Sequence, residues 1–528
     1  MIKNLVLLLV IVFINNTISA QNISATYDFN MYSKINDSLY STQQRVHTSI
    51  KPFLISDTII QAAFDTAFSK KYKPLSKNLF IKKIFNEHLI ELNKYDYSLY
   101  LDFLPDFQIG KDISGHQNTW LNTRGFQVGG RIGKKFIFQS SYFENQSKFP
   151  LYLSNYIAKN TIVPGQGYAN SNAKGVIDYA YTDAIMSYQA SKFFTAQVGY
   201  GKNFIGDGYR SLLLSDNAFN YPFIKTITTI GPLRLVNIWA TLTDLHNSTF
   251  NDINTFPTKT GVFQYIDWSA NKNLTLGFFQ NIMIMPKDFT ISYLNPLLFL
   301  RSINFAEGSP GKLLLGFNGS YKIKNKYAIY GQLAVNEFLI SKILKDKGSW
   351  LNKQGYQLGV KGFNFLNVKH LNVLAEFNSV RPFTYSANNE LINYGHYQQS
   401  LAHPLGSNFR EALAIVNYSY KRIDLRAQAN YSFYGADDPL LPQASFGQDI
   451  YKPYTQRTAD EGYFIGSGIA TKLYYIDLKA AYVLNYKNNL RIELSYINRY
   501  ESNKLGTNKT NYFSFGLKSS FRNLYYDF

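Results

Sequence analysis

The sequence predicts an all-β transmembrane fold, an antiparallel outer-membrane β-barrel of about 18 strands with 16 as the alternative count, behind a short N-terminal periplasmic helical segment. Three observations predict it: segments that alternate apolar and polar residues with period two, gaps between them that are alternately tight and long, and an export signal followed by no apolar helix able to span a bilayer. Tyr, Phe, Asn and Lys replace the Leu/Ala patterns of a helical or α/β protein, aromatic residues make up 16% of the chain, and charged residues only 17%.

The first residues, MIKNLVLLLVIVFINNTISAQ, place Lys3 before an apolar run from Leu5 to Ile14 and then small and polar residues up to Ala20. This is the pattern of a signal peptide over residues 1–20, cleaved after Ala20. The run is about 10 residues, half of the roughly 20 that a spanning helix needs. Residues 21–95 read as the periplasmic helical segment. There Phe80, Ile84, Phe85, Leu89 and Leu92 fall at helical spacing, with Ser76 as N-cap, and the stripe is expected to pack on the barrel mouth or on a partner helix. Asp37-Ser38-Leu39, Asp57-Thr58-Ile59 and Asp65-Thr66-Ala67 resemble the O-glycosylation triplets of Bacteroidota.

Residues 96–528 read as the barrel. In "IDLRAQANYSF" Ile423, Leu425, Ala427, Ala429, Tyr431 and Phe433 alternate with Asp424, Arg426, Gln428, Asn430 and Ser432, an oily exterior against a polar lumen. "YIDLKAAYVL" and "LRIELSY" alternate in the same way. The first half places strands near 97–110, 123–133, 135–144, 177–189, 192–202, 225–230, 233–243, 260–269 and 273–284. The second half places them near 311–323, 326–337, 355–363, 370–380, 409–420, 423–434, 472–486, 490–501 and 511–521. Tight turns such as "GKK" at 133–135 alternate with long gaps such as 145–176 and 285–310, so both ends of the barrel fall on the periplasmic side. The terminal Phe528 fits an aromatic last strand. A three-residue turn at "YKNNL" sets Asp477 opposite Arg499.

Other classes fall away. There is no cysteine, so disulfides and zinc-thiolate sites are excluded. "GGRIGKKF" lacks the spacing of a phosphate loop, and the seven histidines form no metal-ligand pair at helical spacing. No Ser-His-acid arrangement with a nucleophile elbow is recognisable. We therefore expect no catalytic residue, no metal, no cofactor and no enzymatic activity. The net charge of +19 suits an anionic partner, and an exported chain without basic helices is not expected to bind nucleic acid.

The gap after the fifth strand carries "FIGDGYRSLLLSDNAFNYP". It resembles the Trp-Gly-Pro-Gly-aromatic-x-Ser-Leu-x-Leu-Ser-Asn-Asn-Ala-Arg-Pro motif of the Wzi family of capsule-assembly outer-membrane proteins. The matches are Gly206, Gly208, Tyr209, Ser211, Leu212, Leu214, Ser215, Asn217, Ala218 and Pro222, while Ile205, Asp207 and Phe219 depart from it. Asn295, Pro296 and Arg301 of "YLNPLLFLRSINF" resemble the family's Asn-Pro-aliphatic-aromatic-x-Arg segment. The composition is similar to the Bacteroidota branch that includes the gliding-motility protein RemB. The resemblance implies an 18-stranded barrel that holds capsular polysaccharide or exopolysaccharide at the cell surface, with surface adhesion and gliding motility in the gliding branch.

Tyr209, Arg210, Arg301, Tyr152 and Tyr156 are the candidate ligand-binding residues, aromatic faces for sugar rings and cations for acidic groups. Trp350 in a later external gap has the same character. Gly206, Gly208, Ser211, Ser215, Asn217, Asn295 and Pro296 are expected to shape the two motif loops. The expected partners are acidic capsular polysaccharide or exopolysaccharide, lipopolysaccharide and the outer-membrane bilayer, with the protein a monomer. The alternative is a channel or transporter for small or hydrophobic solutes. Both motif loops, 204–217 and 292–305, are expected to fold inward and occlude the lumen, the second because it is too apolar to sit in water as an external loop.

Overall fold

A computed structural model describes residues 26–54, 57–68, 78–172, 174–245, 256–337 and 347–528. The expected signal peptide with its Ala20 cleavage site, and the expected N-cap Ser76, lie outside the described residues. Eighteen long antiparallel strands close into a barrel. They are β1 Tyr97–Asp112, β2 Gln117–Ile132, β3 Phe136–Lys148, β4 Ile177–Gln189, β5 Phe194–Gly201, β6 Tyr221–Ile230, β7 Leu233–Thr243, β8 Thr258–Ser269 and β9 Leu274–Ile284. The second half comprises β10 Lys312–Ile323, β11 Tyr327–Glu337, β12 Lys353–Gly362, β13 Leu371–Val380, β14 Phe409–Tyr420, β15 Ile423–Ala436, β16 Ile469–Asn485, β17 Leu490–Asn503 and β18 Gly506–Ser519. Pairing of β18 with β1, with Phe515 opposite Ile109, closes the ring. Strands β4, β7 and β14 span the residues expected.

Period two sets the two faces. On β15 the odd residues Leu425 and Tyr431 point outward and stay exposed, while Gln428, Asn430 and Ser432 are buried in the lumen. The register of β16 with β17 differs from the expected one. Asp477 lies opposite Ile497, and Arg499 opposite Tyr475, two residues away from the Asp477–Arg499 pairing. A four-residue turn and a bulge between Val483 and Asn485 shift the ladder, and a slip of two keeps every side chain on its face. Asp477 instead accepts from Lys479 at 2.7 Å, and Arg499 donates to Glu501 at 3.1 Å.

The lumen is filled from both ends. From the N-terminal side, α1 (Phe29–Ser33), α2 (Asn36–Leu39) and the extended residues up to 54 pack inside the wall. Lys34 pairs with Asp424 at 2.6 Å, and Ile50 lies opposite Ile205 in a two-residue ladder. α3 (Thr58–Phe68) follows, and Arg234 of β7 reaches Asp57 at 3.4 Å. α4 (Leu79–Phe85) leaves Leu79 and Phe80 exposed, and Leu92 of the expected helical stripe sits on a short strand, Ile90–Asn93, that adds to the start of β1.

The C-terminus departs from the aromatic-strand expectation. β18 ends at Ser519, and residues 520–528 turn back into the lumen, where Phe528 packs on Tyr156 with ring centroids 4.6 Å apart. From the external side, residues 203–220 descend inward as expected, every one of them buried.

The second motif loop goes the other way. Residues 286–306, ending in α6 (Leu300–Ala306), fold over the outer wall of β7–β9. On that lipid-facing side Asn237, Gln264 and Gln280 sit opposite one another across three strands. The loop covers this polar row: Gln264 Nε2 donates to Asn295 O at 3.0 Å, Leu300 N donates to Gln280 Oε1 at 2.9 Å, and Trp239 Nε1 donates to Tyr293 O at 3.0 Å. Hydrocarbon offers no other partners to such groups. Ile291, Leu297, Phe299 and Phe305 face outward instead, continuing the apolar belt. The Leu298→Arg variant is expected to lose roughly 2 kcal/mol of stability, between the midplane and interfacial costs of a lipid-facing cation. Denaturant unfolding in bilayers reads it, and a change below a few tenths would place the loop in water.

Candidate functional site

The first motif loop is an internal joint. Gly206 takes φ +152°, and a Cβ there would stand 2.6 Å from Gln332 Nε2. Gly208 needs no unusual φ, but its Cβ would stand 2.2 Å from Glu376 Oε2. That closeness serves the next two residues, because the backbone N–H groups of Tyr209 and Arg210 donate to Glu376 at 2.9 and 3.2 Å. Asp207 accepts from Tyr40 and Thr48, both at 2.6 Å. Burial pushes its carboxyl up, but Lys51, Lys361 and these hydrogen bonds hold it below the usual value.

Arg210 is the centre of the joint. Its guanidinium donates to Glu411 of β14 at 2.9 and 3.2 Å, and to Asp527 of the C-terminal tail at 2.8 Å. Burial alone would pull the guanidinium down; Asp527 and Glu411 more than offset it and keep Arg210 charged. His403 shares Glu411 at 2.7 Å, and Gln357 donates to Arg210 O at 3.1 Å. Ser211 donates to Ile205 O at 2.5 Å, Ser215 donates to Ala402 O, and Asn217 donates to Ser400 O at 3.0 Å. Leu212, Leu213 and Leu214 are wholly buried in the lumen core.

The candidate ligand residues therefore separate. Tyr209 and Arg210 are enclosed, 5% and 2% exposed. Tyr152 and Tyr156 lie on α5 (Leu151–Asn160) against the tail, with Tyr152 donating to Tyr526 O at 3.1 Å. Arg301 stands exposed on α6, outside the wall, and Asn295 with Pro296 forms the turn leading to it, Asn295 Oδ1 accepting from Leu297 N at 3.0 Å. These residues form no common external surface.

A different cluster does. At the external ends of β10, β11 and β12, Trp350 and Tyr454 lie with ring centroids 4.9 Å apart. Lys353 Nζ sits 4.5 Å from the first ring and 3.6 Å from the second, and the Arg457 guanidinium lies 4.1 Å from Trp350. Glu337 bridges Lys312 at 2.6 Å and Lys353 at 3.3 Å, and Asp460 pairs with Arg457 at 2.7 Å. Half-buried aromatic rings beside the partly exposed Lys312 and Arg457, with Lys353 buried behind them, can stack on a sugar ring while pairing with an acidic substituent. Sequence reading reached Trp350 alone. A legible signal was present, an aromatic residue three positions before a cation in each gap, Trp350 with Lys353 and Tyr454 with Arg457.

No family model matches the sequence, and no curated protein matches it significantly. Among solved structures, the chain is similar to Wzi of Escherichia coli, described as an outer-membrane protein involved in group 1 capsule assembly and a carbohydrate-binding β-barrel. That match has a TM-score of 0.56 at 13% identity, over 94% of this chain and 100% of that one. The protein is an outer-membrane β-barrel. Looser matches are OccAB2 of Acinetobacter baumannii, with a TM-score of 0.44 at 10% identity over 80% of this chain and 97% of that one, and OprD of Pseudomonas aeruginosa, 0.43 at 12% over 83% and 97%. At these identities the likeness concerns the fold.

Two outcomes test the joint. Arg210→Ala strands two buried carboxylates and is expected to cost about 3–5 kcal/mol, whereas Arg210→Met combined with Glu411→Leu and Asp527→Leu recovers much of it. Denaturant titration reads both, and equal losses would deny the charge pairing. The second outcome concerns pH. The folded Asp207 pKa lies below the ordinary 3.8, so its stabilisation is complete above 3.8 and is lost as pH falls through the folded value. Planar-bilayer recordings are expected to stay silent at pH 7 and to show opening bursts only at pH below 3.8. Steady conductance at pH 7 would contradict a filled lumen.

Proposed function

We propose that this barrel binds acidic capsular polysaccharide or exopolysaccharide at the cell surface, through the rim formed by Trp350, Tyr454, Lys312, Lys353 and Arg457. One observation carries the reading: a cation-rich aromatic platform at the external end of a barrel whose lumen is packed with its own chain. The fold shared with a carbohydrate-binding barrel is compatible with it. The protein is proposed to act as a monomer, without catalysis, as an anchor that supports capsule assembly or surface adhesion and gliding. Arg301, exposed at the lipid-facing wall, suits the phosphates of lipopolysaccharide. The channel alternative has the filled lumen against it.

In a strain carrying Trp350→Ala with Arg457→Gln, surface-retained acidic polysaccharide is expected to fall about tenfold, the equivalent of roughly 1.4 kcal/mol. The barrel should keep its heat-modifiable mobility. Unchanged retention with an intact barrel would remove the rim from the site.

A further inference from the structure

The outward face of the wall from β14 to β18 carries three cations and, among the described residues, no acidic side chain. On one rung of the ladder Arg410, Phe433, Lys472 and Ser502 lie side by side across β14–β17. The next rung toward the membrane centre holds Tyr431, Tyr474, Tyr500 and Lys509 across β15–β18. Both rungs lie near the external ends of these strands, whose periplasmic ends meet in the turns at 421–422 and 486–489.

The charge of this face is unbalanced. Arg410, Lys472 and Lys509 are exposed, and none of them forms a salt bridge among the described residues. The loop carboxylates beyond β15 are engaged by other cations, Asp437 by Lys452 at 2.9 Å and Asp438 by Lys504 at 3.1 Å. Glu501 accepts from Arg499 at 3.1 Å on the lumen side of β17. On β2 and β3, by contrast, the outward Arg124 has Glu144 across from it at 3.9 Å.

The tyrosines set the height of the cations in the membrane. Tyr431 and Tyr474 have ring centroids 4.9 Å apart, Tyr474 and Tyr500 6.2 Å, and Lys509 Nζ lies 5.4 Å from the Tyr500 ring. Such a row belongs at the boundary between acyl chains and headgroups, so cations on and just beyond it stand among the headgroups of the outer leaflet. Neighbouring strands are about 4.8 Å apart, which sets Arg410 about 10 Å from Lys472 along the wall and about 19 Å from Lys509. One phosphodiester headgroup can meet only one of them, whereas a phosphorylated disaccharide can meet two or three. We propose that the outward face of β14–β18 is a binding site for the phosphorylated sugar headgroup of an outer-leaflet glycolipid, the lipid A part of lipopolysaccharide. Arg410 offers a phosphate its two-pronged fork, Lys472 and Lys509 act as point charges, and the tyrosine row lies along the upper acyl chains. The site is separate from the polysaccharide rim and from Arg301, which stands over β7–β9.

Native mass spectrometry of the full-length protein in detergent, titrated with diphosphoryl lipid A, tests it, with phosphatidylglycerol as the comparison lipid. The wild type is expected to bind lipid A severalfold more tightly than phosphatidylglycerol. Arg410→Gln with Lys472→Gln is expected to weaken lipid A binding about tenfold, and Lys472→Arg to keep it. Lys509→Gln is expected to weaken it severalfold and serves as the second variant if the first fails to fold. Lys134→Gln with Lys135→Gln removes two exposed charges from a periplasmic turn and should leave binding unchanged. Undiminished binding in the site variants, or an equal loss in the periplasmic variant, overturns the site. Loss in Arg301→Gln alone overturns it in favour of the contact at β7–β9, and phosphatidylglycerol binding as tightly overturns the glycolipid assignment. Polysaccharide retention by the rim is read separately and survives each of these outcomes.

Discussion

A wall of 18 strands encloses more space than its inward side chains can fill, and barrels of this size otherwise hold an aqueous channel. Here the chain fills the space with its own segments, which bring buried polar groups that must find partners. The heaviest demand falls on Arg210. It joins three pieces that arrive separately: a loop descending from the external side, Glu411 on the wall, and Asp527 on a tail rising from the periplasmic side. A guanidinium suits the task because its fixed fork serves two carboxylates at once. Around it, Glu376 takes the backbone N–H groups of Tyr209 and Arg210, so the loop is held by main chain as well as side chain.

That packing decides where recognition can take place. Tyr209, Tyr152 and Tyr156 have the chemistry of sugar platforms, but their rings are committed to Tyr525, Arg499 and Phe528. Trp350 and Tyr454 stand where the packed interior ends. Their cation Lys353 is itself buried, held by Glu337 and both rings, so the platform is ordered before any ligand arrives. Preorganisation of this kind reduces the entropic cost of binding.

The wall was legible because lipid on one side and a polar lumen on the other impose period two on every strand. The closeness of Leu233–Thr243 and Phe409–Tyr420 to expectation follows from that constraint. Register was less legible. Nothing in alternation marks the bulge at Leu484, and a shift of two leaves the pattern intact. The rim was largely hidden because Trp350 and Tyr454 belong to gaps about a hundred residues apart, brought together only by closure of the barrel. For 292–305 the composition excluded water without choosing between lumen and lipid. The deciding residues were elsewhere: Asn237, Gln264 and Gln280 break the apolar alternation at outward positions, and that break is what the loop covers.

The tail shows how length and charge act together. Nine extended residues after Ser519 reach at most about 30 Å, close to the height of the apolar band, about 25 Å. A tail starting at the periplasmic rim therefore brings its last residues deep into the barrel only when nearly extended. Asp527 meets Arg210, Gln428 and Asn430 there, and Phe528 passes beyond to Tyr156. A tail of apolar residues alone would be held by burial wherever it fitted. Asp527 instead sits where a buried guanidinium and two amides are oriented toward it, so the charge helps fix the position that the hydrophobic contacts then stabilise. Glu411 already balances the charge of Arg210, so Asp527 is a second carboxylate whose burial is offset by the shared guanidinium and the two amides. The loop from the external side and the tail from the periplasmic side thus meet at Arg210 with Asp527, and again at Asp216, which accepts from Asn523 and Tyr525, both at 2.7 Å.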